Sequence, residues 1–153
     1  MKTYYIAHNF YSRKAVREWE LMIERIFAGK VNIANPFYDN DRNDIQALDK
    51  LKDHSQEQED YFKTRNTPKM CTKIVEGDLE MIRKSDGLLV FMDKESIGTP
   101  MEIFFAAYVL KIPVYVITNK FSYHPWVKYF STLIFKTTDD FAFYLQIKYD
   151  GAL

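Results

Sequence analysis

The sequence is poor in the residues that build several common kinds of site. It has one cysteine, Cys71, in 153 residues, so no internal disulfide can form, and no cysteine pair or His/Cys cluster offers zinc ligands. A reducing, cytoplasmic setting fits, and no metal is expected. Net charge is lacking too: 21 Lys and Arg balance 21 Asp and Glu, which removes the electrostatic footprint of a nucleic-acid or membrane-surface binder. No apolar run approaches a membrane span, and the opening "MKTYYIAHNF" is too short and too polar in its apolar part for a signal peptide. These exclusions leave a soluble chain acting on a small ligand that is neutral, or anionic and locally held.

What the chain does have is apolar material: 47% hydrophobic and 16% aromatic residues suit one compact domain spanning 1–153. Thr3 to Ala7 reads as a strand, and Ala15, Trp19, Met22, Ile23, Ile26 and Phe27 recur at helical spacing up to Gly29. "VNIANPF" reads as a second strand ended by Pro36. From about 39 to 68 the composition turns polar and charged, which predicts a surface excursion with partial helix, such as a lid or an interface arm. "TKIVEGDLEMIRKSD" predicts a helix with Ile74, Val75, Leu79 and Ile82 on one face. "GLLVFMD" and "IPVYVIT" read as buried strands, "STLIFK" as a weaker edge strand, and Pro100 to Leu110 and "TDDFAFYLQIKY" as helices. Strands alternating with helices predict an α/β three-layer sandwich, flavodoxin-like or Rossmann-like, with a parallel five-stranded sheet covered on both faces.

In such sheets ligands bind beyond the carboxyl ends of the strands. That directs attention to the segments His8 to Arg13, Pro36 to Asn40, Asp93 to Glu102 and Thr118 to Trp126. Thr99-Pro100-Met101-Glu102 has the form of a capping box, with threonine at the N-cap, proline at the first helical position and glutamate reaching back. The same placement suits catalysis, because the helix dipole favours an ionised carboxylate there, and such a group can attack an anomeric carbon. Asp78 is either a solvated helix charge or a second carboxylate able to move a proton. Tyr5 is either a core aromatic or a hydroxyl that holds a carboxylate. Ser12 and Arg13 are either ordinary first-turn residues or part of an anion cradle.

Taken together, "YYIAHNFYS", "GDLEMIRKSDGLLVFM" with its D-L-x-x-I-x-x-x-D pattern, and "SIGTPMEIFFAAYVLKIPVYVI" with its G-x-x-x-E turn resemble the nucleoside 2-deoxyribosyltransferase family. They also resemble that family's relatives, the deoxynucleoside 5′-monophosphate N-hydrolases. The resemblance covers nearly the whole chain outside the polar excursion. It implies a covalent deoxyribosyl intermediate on Glu102, Asp78 near the base as proton donor or base-binding group, and Tyr5 beside the nucleophile. It further implies substrate contacts from Ser96 and Gly98 in the turn and from Asp39 in the excursion, where Asn40 and Gln46 are further candidates. No metal or organic cofactor is implied. The ending "KYDGAL" resembles the transferase tail, whose terminal carboxylate completes a neighbouring subunit's site, so a homo-oligomer with shared sites is expected.

Two positions depart from the pattern. Six residues before the nucleophile the transferases carry an aspartate where this chain has Ser96, as the hydrolases do, since a hydroxyl tolerates a phosphate that a carboxylate would repel. In "YHPWVKYF" the transferases' asparagine is replaced by Val127, leaving Lys128 or His124 as substitutes. The first loop also lacks the glycine-rich turn of the hydrolases. The expected activity is deoxyribosyl transfer between nucleobases in nucleotide salvage. Its alternatives are hydrolysis of a deoxynucleoside monophosphate and a non-catalytic nucleotide-binding or sensing module in which Glu102 only caps its helix.

Overall fold

The computed structural model describes residues 1–9, 12–39 and 44–150. Asn40 and the carboxylate of the chain's end, both singled out above, lie outside the described residues. Five strands form one sheet in the order β2-β1-β3-β4-β5, every pairing parallel. They are β1 (Thr3–Ala7), β2 (Asn32–Ala34), β3 (Gly87–Phe91), β4 (Val114–Ile117) and β5 (Leu133–Phe135). The strand order reverses between β1 and β3, the switch point at which flavodoxin-like sheets open a crevice.

Side-chain alternation along the strands divides the core into two layers. Tyr4, Ile6, Leu89, Tyr115 and Ile117 face α1 (Arg13–Phe27) and the later helix Thr138–Asp150, meeting Trp19, Ile23, Phe27, Phe141 and Leu145. Tyr5, Ala7, Leu88, Val90, Val114 and Val116 face the other way, onto Ile82, Ile103, Ala106 and Val127. The central strands are buried on both sides, which is why they read as unbroken apolar runs. Each fully buried aliphatic side chain here contributes about 1.5–3 kcal/mol. Two glycines are set by geometry. Gly29 ends α1 with φ +74°, and a Cβ on Gly87 would lie 2.6 Å from the Tyr4 ring.

The excursion holds two helices, α2 (Ile45–Asp49) and α3 (Gln56–Arg65). It is more than a surface arm, since Leu48 and Phe62 close with Phe37 into a small core of their own. The next helix, α4 (Pro68–Arg83), begins four residues before the expected start, with Thr67 accepting from the Met70 amide and Pro68 opening the first turn. Of its expected apolar face only Ile82 is buried, and Val75 is exposed.

The helix expected at Pro100 to Leu110 is α5 (Gly98–Phe104) continued by a π-helical turn over Phe105–Val109, where Leu110 N–H donates to the Phe105 carbonyl at 3.0 Å. The capping box does not form. The N-cap is Ile97, without a side-chain bond, and Thr99 is buried inside the first turn, its amide 3.5 Å from Ser96 Oγ. Glu102 therefore stands two residues too far along for the reciprocal bond. The segment after β4 leads into a short helix, α6 (Pro125–Phe130), and α7 (Thr138–Asp150) follows the edge strand.

Candidate active site

Tyr5 and Glu102, 97 residues apart, meet: the buried Tyr5 hydroxyl donates to Glu102 Oε1 at 2.6 Å. The strand places this contact by its pleat, since Tyr5 points to the α5 side and reaches the first turns of that helix. A bond this short between a hydroxyl and a carboxylate is in the charge-assisted range and fixes the carboxylate's orientation. Asp78 is half-buried on α4, in the same helical layer as α5. There Arg83, one helical face on, lies over the Phe105 ring at 5.2 Å.

The turn between β3 and α5 is closed locally by Ser96, whose hydroxyl donates to Thr99 Oγ1 at 3.2 Å. Gly98 is exposed, with open space where a side chain would be. Ser96 also lines a cavity of about 480 Å³ between α5 and α6, walled by Met92, Pro100, Ile103, Phe104, Phe121, Trp126, Val127 and Phe130. Its polar groups come from Glu95, Ser96 and His124. Among the described residues no lysine or arginine lines it, and Lys128, the candidate substitute at the Val127 position, is exposed on α6 outside the lining. Helix α5 thus turns residues 100, 103 and 104 to the cavity and Glu102 toward β1.

Ser12 and Arg13 lie elsewhere. The α1 amides that would cradle a phosphate are engaged by Asp53, whose two oxygens accept from Arg13 N–H and Lys14 N–H at 3.2 Å each. The Arg13 guanidinium stacks on Phe37, 4.0 Å from its centroid, and pairs with Glu20 Oε1 at 3.1 Å and Asp49 Oδ1 at 3.4 Å. Ser12 Oγ is 3.3 Å from His54 Nε2. Asp39 caps the short turn Pro36–Tyr38 at the end of β2, and Gln46 is exposed on α2.

A buried ionic cluster beside β1 went unseen in the sequence. Glu20, with no exposure, takes Nε2 of His8 at 2.9 Å, Arg13 and, at 2.9 Å, Arg17. Burial alone would raise its pKa, but the His8 bond and the neighbouring positive charges outweigh it and hold the carboxyl at about 2. Burial pushes the His8 pKa down, against the pull of Glu20. The signal was present: position 20 falls within the apolar stripe of α1 at Val16, Trp19, Ile23 and Phe27.

Among the described residues no group of three or more His, Cys, Asp or Glu is arranged to hold a metal, and no helix is long and apolar enough to cross a membrane. No protein-family model and no curated relative matches the sequence. Solved structures do. A 2-deoxyribosyltransferase of Bacillus psychrosaccharolyticus superposes with TM-score 0.60 at 17% identity over 92% of this chain and 90% of that one. The corresponding enzyme of Leishmania mexicana gives 0.58 at 16%, over 97% and 98%. A CMP N-glycosidase of Clostridium botulinum gives 0.55 at 16%, over 95% and 99%. Nearly the whole length of this chain has the α/β fold of these proteins.

Proposed function

We propose that the chain is a nucleoside 2-deoxyribosyltransferase-like enzyme that cleaves the N-glycosidic bond of 2′-deoxynucleosides through a covalent intermediate on Glu102. The observation that carries this reading is the Tyr5 hydroxyl holding Glu102 at 2.6 Å, on a fold shared with proteins of that chemistry. The Glu102 carboxylate attacks the anomeric carbon as the C1′–N bond breaks and its electron pair leaves with the base. Oxocarbenium character at the sugar is stabilised by the adjacent negative charge. Asp78 supplies or relays the proton that the departing base takes up. A nitrogen of a second base then attacks C1′ and releases Glu102; water in its place gives hydrolysis.

Ser96, which lines the cavity, keeps the monophosphate N-hydrolase reading open. Glu95 at the wall of that cavity repels a phosphate, which supports an unphosphorylated nucleoside. Chromatographic analysis of products from deoxynucleosides and their monophosphates, with and without an added base, tests both. Base exchange that needs an acceptor supports transfer; free base and deoxyribose 5-phosphate without one support the hydrolase; no reaction on any substrate contradicts both. Tyr5→Phe keeps the ring packing and removes the bond to Glu102, so kcat should fall by about ten- to a hundredfold from misplacement of the nucleophile alone. Steady-state kinetics beside a thermal melt read that out.

The reading includes assembly with a second copy of the chain. Met101, Phe104 and Tyr108 are exposed on one face of α5 and its π turn, and Trp126 and Tyr129 on α6 adjoin them. The rings form a continuous surface through Phe130, with centroids 4.9–6.2 Å apart. Such an aromatic patch at the cavity mouth, with Lys111 over its Tyr108 ring, has the character of an interface core. Trp126→Glu should convert the assembly to monomers in light scattering; a wild-type chain that is already monomeric would sink this part of the reading.

A further inference from the structure

We infer that Asn9 is a positioning residue of this site, tethering the β3–α5 turn so that the ligand-facing residues of that turn stay in register with Glu102. The inference rests on the reading of Glu102 as nucleophile. Asn9 is the second residue after β1 and is 5% exposed. Its side-chain Nδ2 donates to the Glu95 carbonyl at 3.0 Å across the switch point of the sheet. Among the described residues this is the hydrogen bond that ties the segment from Asp93 to Gly98 to another element. The Ser96 bonds to Thr99 are internal to the turn and the start of α5.

Strand β1 and the short segment after it therefore grip the α5 region at two points. Tyr5 holds the carboxylate, and Asn9 holds the main chain next to Ser96, on the wall of the cavity. The buried Asn9 amide is retained because it has this partner, and removing the donor leaves the Glu95 carbonyl of the exposed turn to water and frees the main chain to move. The two grips separate two effects. Loss of the Tyr5 bond acts on the nucleophile, whereas loss of the Asn9 bond acts on the wall that receives the rest of the substrate, leaving Glu102 with its own anchor.

Three variants test this: Asn9→Ala, Asn9→Asp and Asn9→Ser. Aspartate matches asparagine in size but sets a carboxylate oxygen against the Glu95 carbonyl, so it carries the test if the alanine variant does not fold. Serine keeps a donor. Base release from 2′-deoxynucleosides gives KM and kcat, and amide hydrogen exchange reads the turn. Ala and Asp should raise KM about tenfold or more with a smaller fall in kcat, consistent with the sensitivity of sites to displacements near 1 Å. Exchange over 93–99 should quicken while β1 and β3 stay protected, and serine should recover part of both effects. Folded variants with wild-type KM and unchanged exchange in the turn would overturn the inference while leaving Glu102 untouched. A fall in kcat with KM and exchange unchanged would overturn it as well. A wild-type protein that releases no base from any deoxynucleoside would remove the reading beneath it, a result distinct from an active enzyme indifferent to Asn9.

Discussion

Replacing Glu102 by alanine is expected to abolish release of base from deoxynucleosides, by roughly a thousandfold or more, in a protein that still folds. Loss of a covalent nucleophile removes the low-barrier route itself, and the residual rate reflects binding and electrostatics alone. The fold should survive because Glu102 is half-buried and does not cap its helix. The cost falls on Tyr5, whose buried hydroxyl loses its acceptor, at about 1–3 kcal/mol. Glu102→Gln separates the two effects. Its amide oxygen still accepts from Tyr5, so stability should return toward wild type while turnover stays absent. Rate assays beside thermal unfolding check this, and a Glu102→Gln protein turning over within about tenfold of wild type would be incompatible with a nucleophilic role.

The second large effect concerns stability. Glu20→Ala leaves Arg13 and His8, both buried, without their shared carboxylate and should cost about 3–5 kcal/mol. The same cluster sets the acid response. The Glu20 carboxyl titrates near 4.5 when unfolded and at about 2 when folded, so its stabilisation is present above 4.5 and lost as pH falls toward 2. At that shift the contribution is about 3 kcal/mol. His8 acts in the same direction from a higher pH. Its folded pKa lies below 6.5, so the unfolded chain takes up a proton first as pH drops through 6.5 and stability declines. Denaturant melts between pH 7 and 3 should show the midpoint falling in both ranges, with the lower step missing in Glu20→Ala. A midpoint independent of pH over that interval would contradict this account.

The parallel sheet was legible because burial on both faces leaves continuous runs such as "GLLVF" and "VYVI", which need no knowledge of partners. The layered architecture followed from that. The meeting of Tyr5 and Glu102 was legible only through the family resemblance, since composition and spacing do not show that a strand residue and a helix residue so far apart will touch. The capping box failed because Ser96 supplies a hydroxyl to the Thr99 amide and starts the helix earlier than the threonine-proline pattern suggests. The π turn has no sequence period of its own to announce it. Helix α3 hid because its face is held by little more than Phe62 and Gln58, and α6 because its aromatics point outward. Ser12 and Arg13 looked like anion ligands because nothing in their neighbourhood reveals Asp53 and Glu20 arriving from elsewhere in the fold.

The most direct test of the central claim is to quench the enzyme with acid during turnover of a 2′-deoxynucleoside and map its peptides by mass spectrometry. The account predicts one added deoxyribosyl unit on the peptide containing Glu102, formed as base is released and discharged when an acceptor base is supplied. Turnover with no sugar on Glu102 at any time, or with the sugar on another residue, would contradict it.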